Sequence, residues 1–279
     1  PYGRHIFVGG NTLVPAIIRD HAEELGTTAP SEAFDATIAA ARDQLQHRTA
    51  RLSVIPLVAE PERLRLRVDV ESLVGHKFPT GHPTRRAWLQ VIVRDGERVV
   101  FRSGDFDEAG RIVDRDGRVL PSERRDGPTA PHRDIVRTSS EVQIYETVMG
   151  DVEGRVTFGL MRAATPLKDN RLLPRGWSPD HPEAEATAPA GLDGDANFLG
   201  GGDRVIYDIA LPAASEGATR TVEVSLLYQV LGARYAAELL RWETPEMRAF
   251  ARYYESASKT PEVVATATIR VEPQGSRDF

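Results

Sequence analysis

The stretch GHKFPTGHPTRRAWL, Gly75 to Leu89, gathers side chains that could coordinate a metal or dock a partner. His76 and His82 flank Pro79, Thr80 and Gly81, a turn signal, and Pro83 stiffens the exit. Two imidazoles on one tight turn could share a metal ion. No third ligand stands beside them, so a metal-dependent hydrolase built on His76 and His82 would need a distant acid. The plainer alternative is a pair of hydrogen-bonded turn histidines. Arg85 and Arg86 could clamp a carboxylate or phosphate, or form surface ion pairs. Trp88 at the strand entrance could be a core corner or a stacking platform. Arg85, Arg86 and Trp88 are therefore candidate docking residues.

Other polar groups are scattered along the chain. His5 opens RHIFVGGN, where Gly-Gly-Asn could turn and present the imidazole outward. His21 lies on an apolar helix stripe and reads as a core histidine. His132, in PHRD, falls in a loop. In DGDANFLGGGD, Asp193, Asp195 and Asn197 alternate like the start of a calcium loop. The glycine after the third ligand and the closing glutamate of an EF-hand are missing, which leaves an Asx-rich turn as the alternative. The glycines at Gly200 to Gly202 lack the GK[ST] of a phosphate loop, and no serine sits in a GxSxG elbow. The residues make no positive case for catalysis.

Composition narrows the classes. The 279 residues are 41% hydrophobic and 27% charged, ordinary for a globular chain. A net charge of −6 and a pI near 5.7 argue against nucleic acid as a partner. No apolar run approaches the ~20 residues of a membrane span. The chain has no cysteine, which excludes disulfides, thiolate chemistry and covalent haem attachment through CxxCH within it. It starts at Pro1 rather than Met, so a trimmed upstream segment is expected.

The elements that would position these residues follow from the period of the apolar pattern. Residues 11–48 read as a helical hairpin. Val14, Ile17, Ile18, His21 and Leu25 form one stripe, Phe34, Ile38, Ala41 and Leu45 another, with GTTAP turning between them. Asn11 or Thr12 could cap the start. Beyond Leu52 the period becomes two. RLRLRVDV alternates, AWLQVIVRD and VVFRS read as a hairpin, and EVQIYETVM with GRVTFGLMRA as another. DRVIYDIAL with TRTVEVSLLYQV is expected to repeat the pairing, and VVATATIRV gives a last strand. Between Leu231 and Ser258 the pattern is helical again, with Thr244 and Pro245 as cap and first-turn proline. The expectation is a mainly β fold: an antiparallel immunoglobulin-like β-sandwich over 51–279, preceded by a helical segment over 1–50 and carrying a helical insertion near 232–257. Two long irregular loops, roughly 103–137 and 163–202, are expected to be functional or docking elements.

A resemblance rests on an ordered series: GHKFPTGHPTRRAWLQVIVRD, VVFRSGDFDEAGRI, EVQIYETVMGDVEGRVTFGLMRA, LKDNRLLPRGW, DANFLGGGDRVIYDIA and VEVSLLYQVLGARYAAEL. In this order, over nearly the whole chain, they resemble the haem-free C-terminal β-rich region of bacterial multihaem c-type cytochromes, the cytochrome c554-related group. The opening RHIFVGGN resembles the segment that follows the last haem motifs in such proteins. The resemblance implies a periplasmic or otherwise extracytoplasmic module accompanying electron-transfer haems. It makes His5 the first and His76 the second candidate for distal ligand to a haem attached elsewhere, since bis-histidine iron needs an imidazole within reach. The chain departs from the family in having no CxxCH. Either the haem-bearing part lies upstream, or this is a subunit that keeps the scaffold without haems. The implied role is a non-catalytic accessory subunit, partnered by a c-type cytochrome or a membrane electron-transfer complex such as a photosynthetic reaction centre. The alternatives are an extracytoplasmic ligand-binding sandwich, with Ca2+ as a cofactor at Asp193, Asp195 and Asn197, and the metal hydrolase above.

Overall fold

The computed structural model describes residues 8–213 and 219–272. Two helices come first, α1 (Leu13–Asp20) and α2 (Ser31–Arg48). Four strands follow: β1 (Ala50–Ala59), β2 (Arg63–Ser72), β3 (Arg86–Asp95) and β4 (Arg98–Ser103). A long connection carries three two-residue strands, β5 (Asp105–Phe106), β6 (Ile112–Val113) and β7 (Ile135–Val136). Then come β8 (Ile144–Gly150), β9 (Val156–Thr157), β10 (Thr165–Asp169), a short helix α3 (Ala184–Thr187) and β11 (Gly202–Ala210). β12 (Arg220–Gln229), helices α4 (Ala233–Leu239) and α5 (Pro245–Ser256), and β13 (Glu262–Val271) complete the order.

The strands form a β-sandwich. One sheet runs β1-β2-β11-β7, antiparallel except for the short parallel contact of β11 with β7. The other runs β10-β8-β3-β12-β13, with β4 added to β3 and β9 to β8. Strand period decides what fills the space between them. Leu64, Leu66, Val68 and Val70 of β2 and Val205, Tyr207 and Ile209 of β11 face Leu89, Val91 and Val93 of β3 and Val222, Val224 and Leu226 of β12. Each such aliphatic side chain contributes roughly 1.5–3 kcal/mol on burial.

The opposite face of the larger sheet is also covered. Residues of the other parity, Trp88 of β3, Ile144 of β8 and Leu227 of β12, pack with Ile112, Leu120 and Val142 from the long connection. The irregular 103–137 segment is thus a third layer laid over the sheet. The 163–202 segment is partly ordered too: it holds β10 and pairs Leu172 with Phe78.

Most elements fall where the apolar period places them, including both hairpins β3/β4 and β8/β9. The expected pairing of DRVIYDIAL with TRTVEVSLLYQV is wrong. β11 pairs with β2 and β7, while β12 pairs with β3 and β13, so the connection crosses from one sheet to the other. The α1 stripe is shorter than expected. The helix ends at Asp20, the His21 N–H donating to Ile17 O at 3.1 Å; the turn that follows reaches Gly26 at φ 65°, and Val14 and Leu25 are exposed. Asn11 caps the helix, its Oδ1 accepting the Val14 N–H at 3.0 Å. Thr244 caps α5 in the same way through the Met247 N–H.

Gly104 makes the layered arrangement possible. One edge of β3 is shared, β8 taking Arg86–Trp88 and β4 taking Val91–Asp95. Gly104 sits beside that exchange at φ 78°, where an added Cβ would lie 2.3 Å from the Leu89 carbonyl oxygen. Its own carbonyl accepts the Trp88 indole N–H at 2.9 Å.

Candidate functional site

The 75–86 turn is a tied corner. Phe78 is buried and exchanges backbone hydrogen bonds with Leu172 at 2.9 and 2.8 Å. The Lys77 ammonium donates to Asp169 Oδ2 at 2.7 Å and to the Ala188 carbonyl at 3.2 Å. Arg171 donates to both oxygens of the same carboxylate at 2.7 Å. Burial pushes Asp169 up, but Arg171 and then Lys77 outweigh it and hold the carboxyl below its ordinary value. Burial lowers Lys77, with Asp169 opposing. Arg85 closes the turn by donating from Nη1 to the Thr80 carbonyl at 2.6 Å.

The two turn histidines take separate partners. His76 is exposed, with Nδ1 3.0 Å from the Lys77 carbonyl. His82 Nδ1 accepts the Thr84 N–H at 3.2 Å, and its ring meets Tyr235 edge-on at 5.9 Å. Burial lowers the His82 pKa, and Arg85 adds to the effect. Among the described residues, neither histidine belongs to a group of three metal-capable side chains. His5 lies outside the described residues.

Arg86 and Trp88 point into the molecule because β3's outer face is roofed by the long connection. Arg86 forms a fork to Glu123, at 2.5 Å from Nη1 and 2.8 Å from Nη2, and also reaches Gln229 Oε1 and the Gly110 carbonyl. The guanidinium stands 5.1 Å from the centre of the Trp88 ring. Burial disfavours its charge, but Glu123 more than offsets this and the Arg86 pKa is raised. Arg86 and Trp88 therefore contact the chain's own interior and not a docking face, and Arg85 is spent on its own turn.

The alternating acids also separate. Asp195 accepts the Asn197 N–H at 2.8 Å, an Asx turn. Asn197 bridges to Asp134 and accepts the Arg204 N–H, while Asp193 is exposed at φ 52°. Asp195 turns instead to His132, 2.9 Å from Nε2.

His132 is the centre of a cluster that the sequence does not reveal. Its Nδ1 accepts from Gln143 at 2.9 Å and Asn170 at 3.0 Å, so Nε2 carries the proton donated to Asp195. Gln143 also donates to Asp203 at 3.1 Å, and the Tyr145 hydroxyl donates to the same oxygen at 2.8 Å. Burial raises Asp203 above the usual carboxyl range, against the pull of His132 and Tyr145. Burial, then Asp203, push Tyr145 well above its ordinary value. One ligand atom each from His132, Asp195 and Asp203 lies within 4.8 Å of the others. All three side chains already have hydrogen-bond partners, and His132 and Asp203 are buried. The cluster joins the first long loop, β8, the second long loop and β11. Nothing in the spacing of PHRD points to an aspartate so far along the chain.

No family model matches the chain, and no curated protein matches it. Among solved structures it is similar to a penta-heme cytochrome c552 from Thermochromatium tepidum, at 16% identity and a TM-score of 0.37. The match covers 82% of this chain and 41% of that one, so the chain spans about two fifths of that cytochrome. The likeness is weak.

Proposed function

We propose that this chain is a non-catalytic, extracytoplasmic accessory module of a haem-based electron-transfer assembly. The observation that carries the reading is where the ionisable side chains go. The pairs Arg86–Glu123 and Lys77–Asp169 and the His132 cluster all clamp loops or turns onto the sandwich. A site for chemistry needs polar groups held open toward a substrate; these groups are turned inward and satisfied. The ordered resemblance to the haem-free region of multihaem cytochromes supplies the kind of assembly. Without cysteine, the chain holds no c-type haem covalently through CxxCH. No helix among the described residues is long and apolar enough to cross a membrane. His76 fits iron held by a partner: with Nδ1–H donated to the Lys77 carbonyl, Nε2 keeps its lone pair on an exposed residue.

The test is purification from the native source, with an absorbance spectrum, intact mass and identification of co-purifying chains. A Soret band that travels with a separate cytochrome, while this chain's mass carries no haem adduct, is the expected result. A colourless, solitary protein would overturn the reading.

A further inference from the structure

The geometry points to a groove beside α4 that binds an acidic, apolar-bearing segment of a partner protein. The groove is an open cleft of about 540 Å³, between β9, the 160–162 turn and α4. Its walls carry Arg125, Arg162, Arg234 and Arg241, with Phe158 and Trp242 between them. Two carboxylates, Asp126 and Glu238, line it as well, leaving a local charge of +2 on a chain of net charge −6.

The arginines are under-compensated. Glu238 is shared by Arg125 at 3.3 Å and Arg241 at 2.9 Å; Arg125 also meets Asp126 at 2.7 Å, and Arg162 meets Asp151 at 3.3 Å. Among the described residues, Arg234 has no carboxylate within ion-pair distance. It donates to the carbonyls of Gly127 at 2.7 Å and Arg125 at 3.4 Å, and stands over Phe158 at 5.6 Å. Burial lowers its pKa, with Glu146, Glu123 and Asp126 opposing from beyond ion-pair distance. Arg234 is held by backbone carbonyls and the Phe158 ring, and Arg241 by Trp242 and Glu238, so these two lose little freedom on meeting a carboxylate fork.

The apolar part is exposed. Arg241 stacks on Trp242 at 4.4 Å, and Trp242 is still 51% exposed. Between the lining residues Gly159 and Arg162, Leu160 is 50% and Met161 99% exposed. Exposed Trp, Met and Arg together are the residue types that anchor protein interfaces. The occupant that complements this charge and surface is a segment with carboxylates flanking an apolar side chain. A short segment meets only the local charge of +2, whereas an extended polyanion such as nucleic acid or an anionic membrane would also meet the rest of an acidic molecule and be repelled. The inference deepens the reading above, because it names a docking surface and the character of the partner segment.

The probe is a fluorescein-labelled peptide, Glu-Asp-Leu-Glu-Asp, titrated into the whole chain by fluorescence polarisation. Saturable binding is expected at low salt, weakening about tenfold or more between about 0.05 and about 0.5 M salt. Arg241→Gln, a half-exposed position, and Arg234→Gln are each expected to weaken it about tenfold. The Gln-Asn-Leu-Gln-Asn peptide should not bind. No saturable binding at low salt, or binding that survives both substitutions, overturns the proposal. So does recruitment of phosphatidylglycerol vesicles, lost on those substitutions, in place of the peptide. The failures are separable. A cytochrome that co-purifies unchanged with the Arg234→Gln/Arg241→Gln chain removes the groove and keeps the accessory reading. Peptide binding by a chain that brings down no haem protein supports the groove while the haem assignment falls.

Discussion

Glu123 offers the sharpest test of how the outer layer is held. Glu123 and Arg86 are 1% and 6% exposed in their side chains, and the fork between them ties the 103–137 layer to β3. Removing one partner of a buried pair leaves the other charge uncompensated, which costs about 3–5 kcal/mol. For 279 residues the unfolding entropy is about 0.6 kcal/mol per kelvin, so Glu123→Gln or Arg86→Met alone should lower Tm by about 5–8 °C. The double variant should cost no more than the worse single. Its glutamine can still accept the Ile112 N–H that Glu123 accepts at 3.1 Å, and the Gly110 carbonyl still has the Gln229 amide at 2.9 Å. Gln229 Oε1 loses its donor, at about 1–3 kcal/mol, and the introduced amide N–H groups face no charge. The coupling energy from a double-mutant cycle should therefore be about 3 kcal/mol or more. Urea unfolding followed by tryptophan emission reads it, since Trp88 lies directly under the guanidinium. Single effects that add to within about 0.5 kcal/mol would refute the reasoning, because the two charges would then not depend on each other.

Two further outcomes follow from the same geometry. Gly104→Ala should destabilise by upwards of about 3 kcal/mol in urea, because left-handed φ and contact with the Leu89 carbonyl act together; a loss below about 1 kcal/mol would mean that β4 and β8 shift freely. Asp203→Asn should change the pH dependence of stability. Burial raises Asp203, so its contribution is full below the unfolded carboxyl value of about 3.9 and is lost as pH rises through the folded value. Asparagine does not titrate, so stability of the variant relative to the parent should rise from pH about 4 to about 7, and a flat difference in urea midpoint would sink the assignment.

The sequence carries the strands well where one face is buried and the other is not. β2 reads directly, since Leu64, Leu66, Val68 and Val70 all go inside and the arginines between them do not. It carries partner choice poorly. The strand pattern of β11 is the same whether the next strand returns beside it or crosses to the other sheet, and here it crosses. Trp88 and Arg86 show a second limit. On β3 both faces are covered, so alternation no longer separates inside from outside, and the arginine's burial depends on Glu123 in a segment without period. His132 shows a third: its partners Gln143, Asn170 and Asp195 come from three stretches that only the finished layers bring together.

The division between inward and outward arginines ties the proposals together. Arg86 is desolvated and must carry its own carboxylate, because an unpaired buried charge would cost more than the layer gains by packing. Arg234 is less enclosed and is supported by carbonyls and the Phe158 ring, with no carboxylate among the described residues in ion-pair contact. Arg241 and Arg125 divide one glutamate between them. The interior clamps fix the backbone from which this cleft is built. Arg234 is itself held through the carbonyls of Arg125 and Gly127, which follow directly on the Glu123 turn. Loosening the Arg86–Glu123 fork should therefore disturb the groove as well as the fold. Peptide affinity should fall in Glu123→Gln even at temperatures where the variant remains folded. A groove indifferent to Glu123 would separate the clamp from the docking surface.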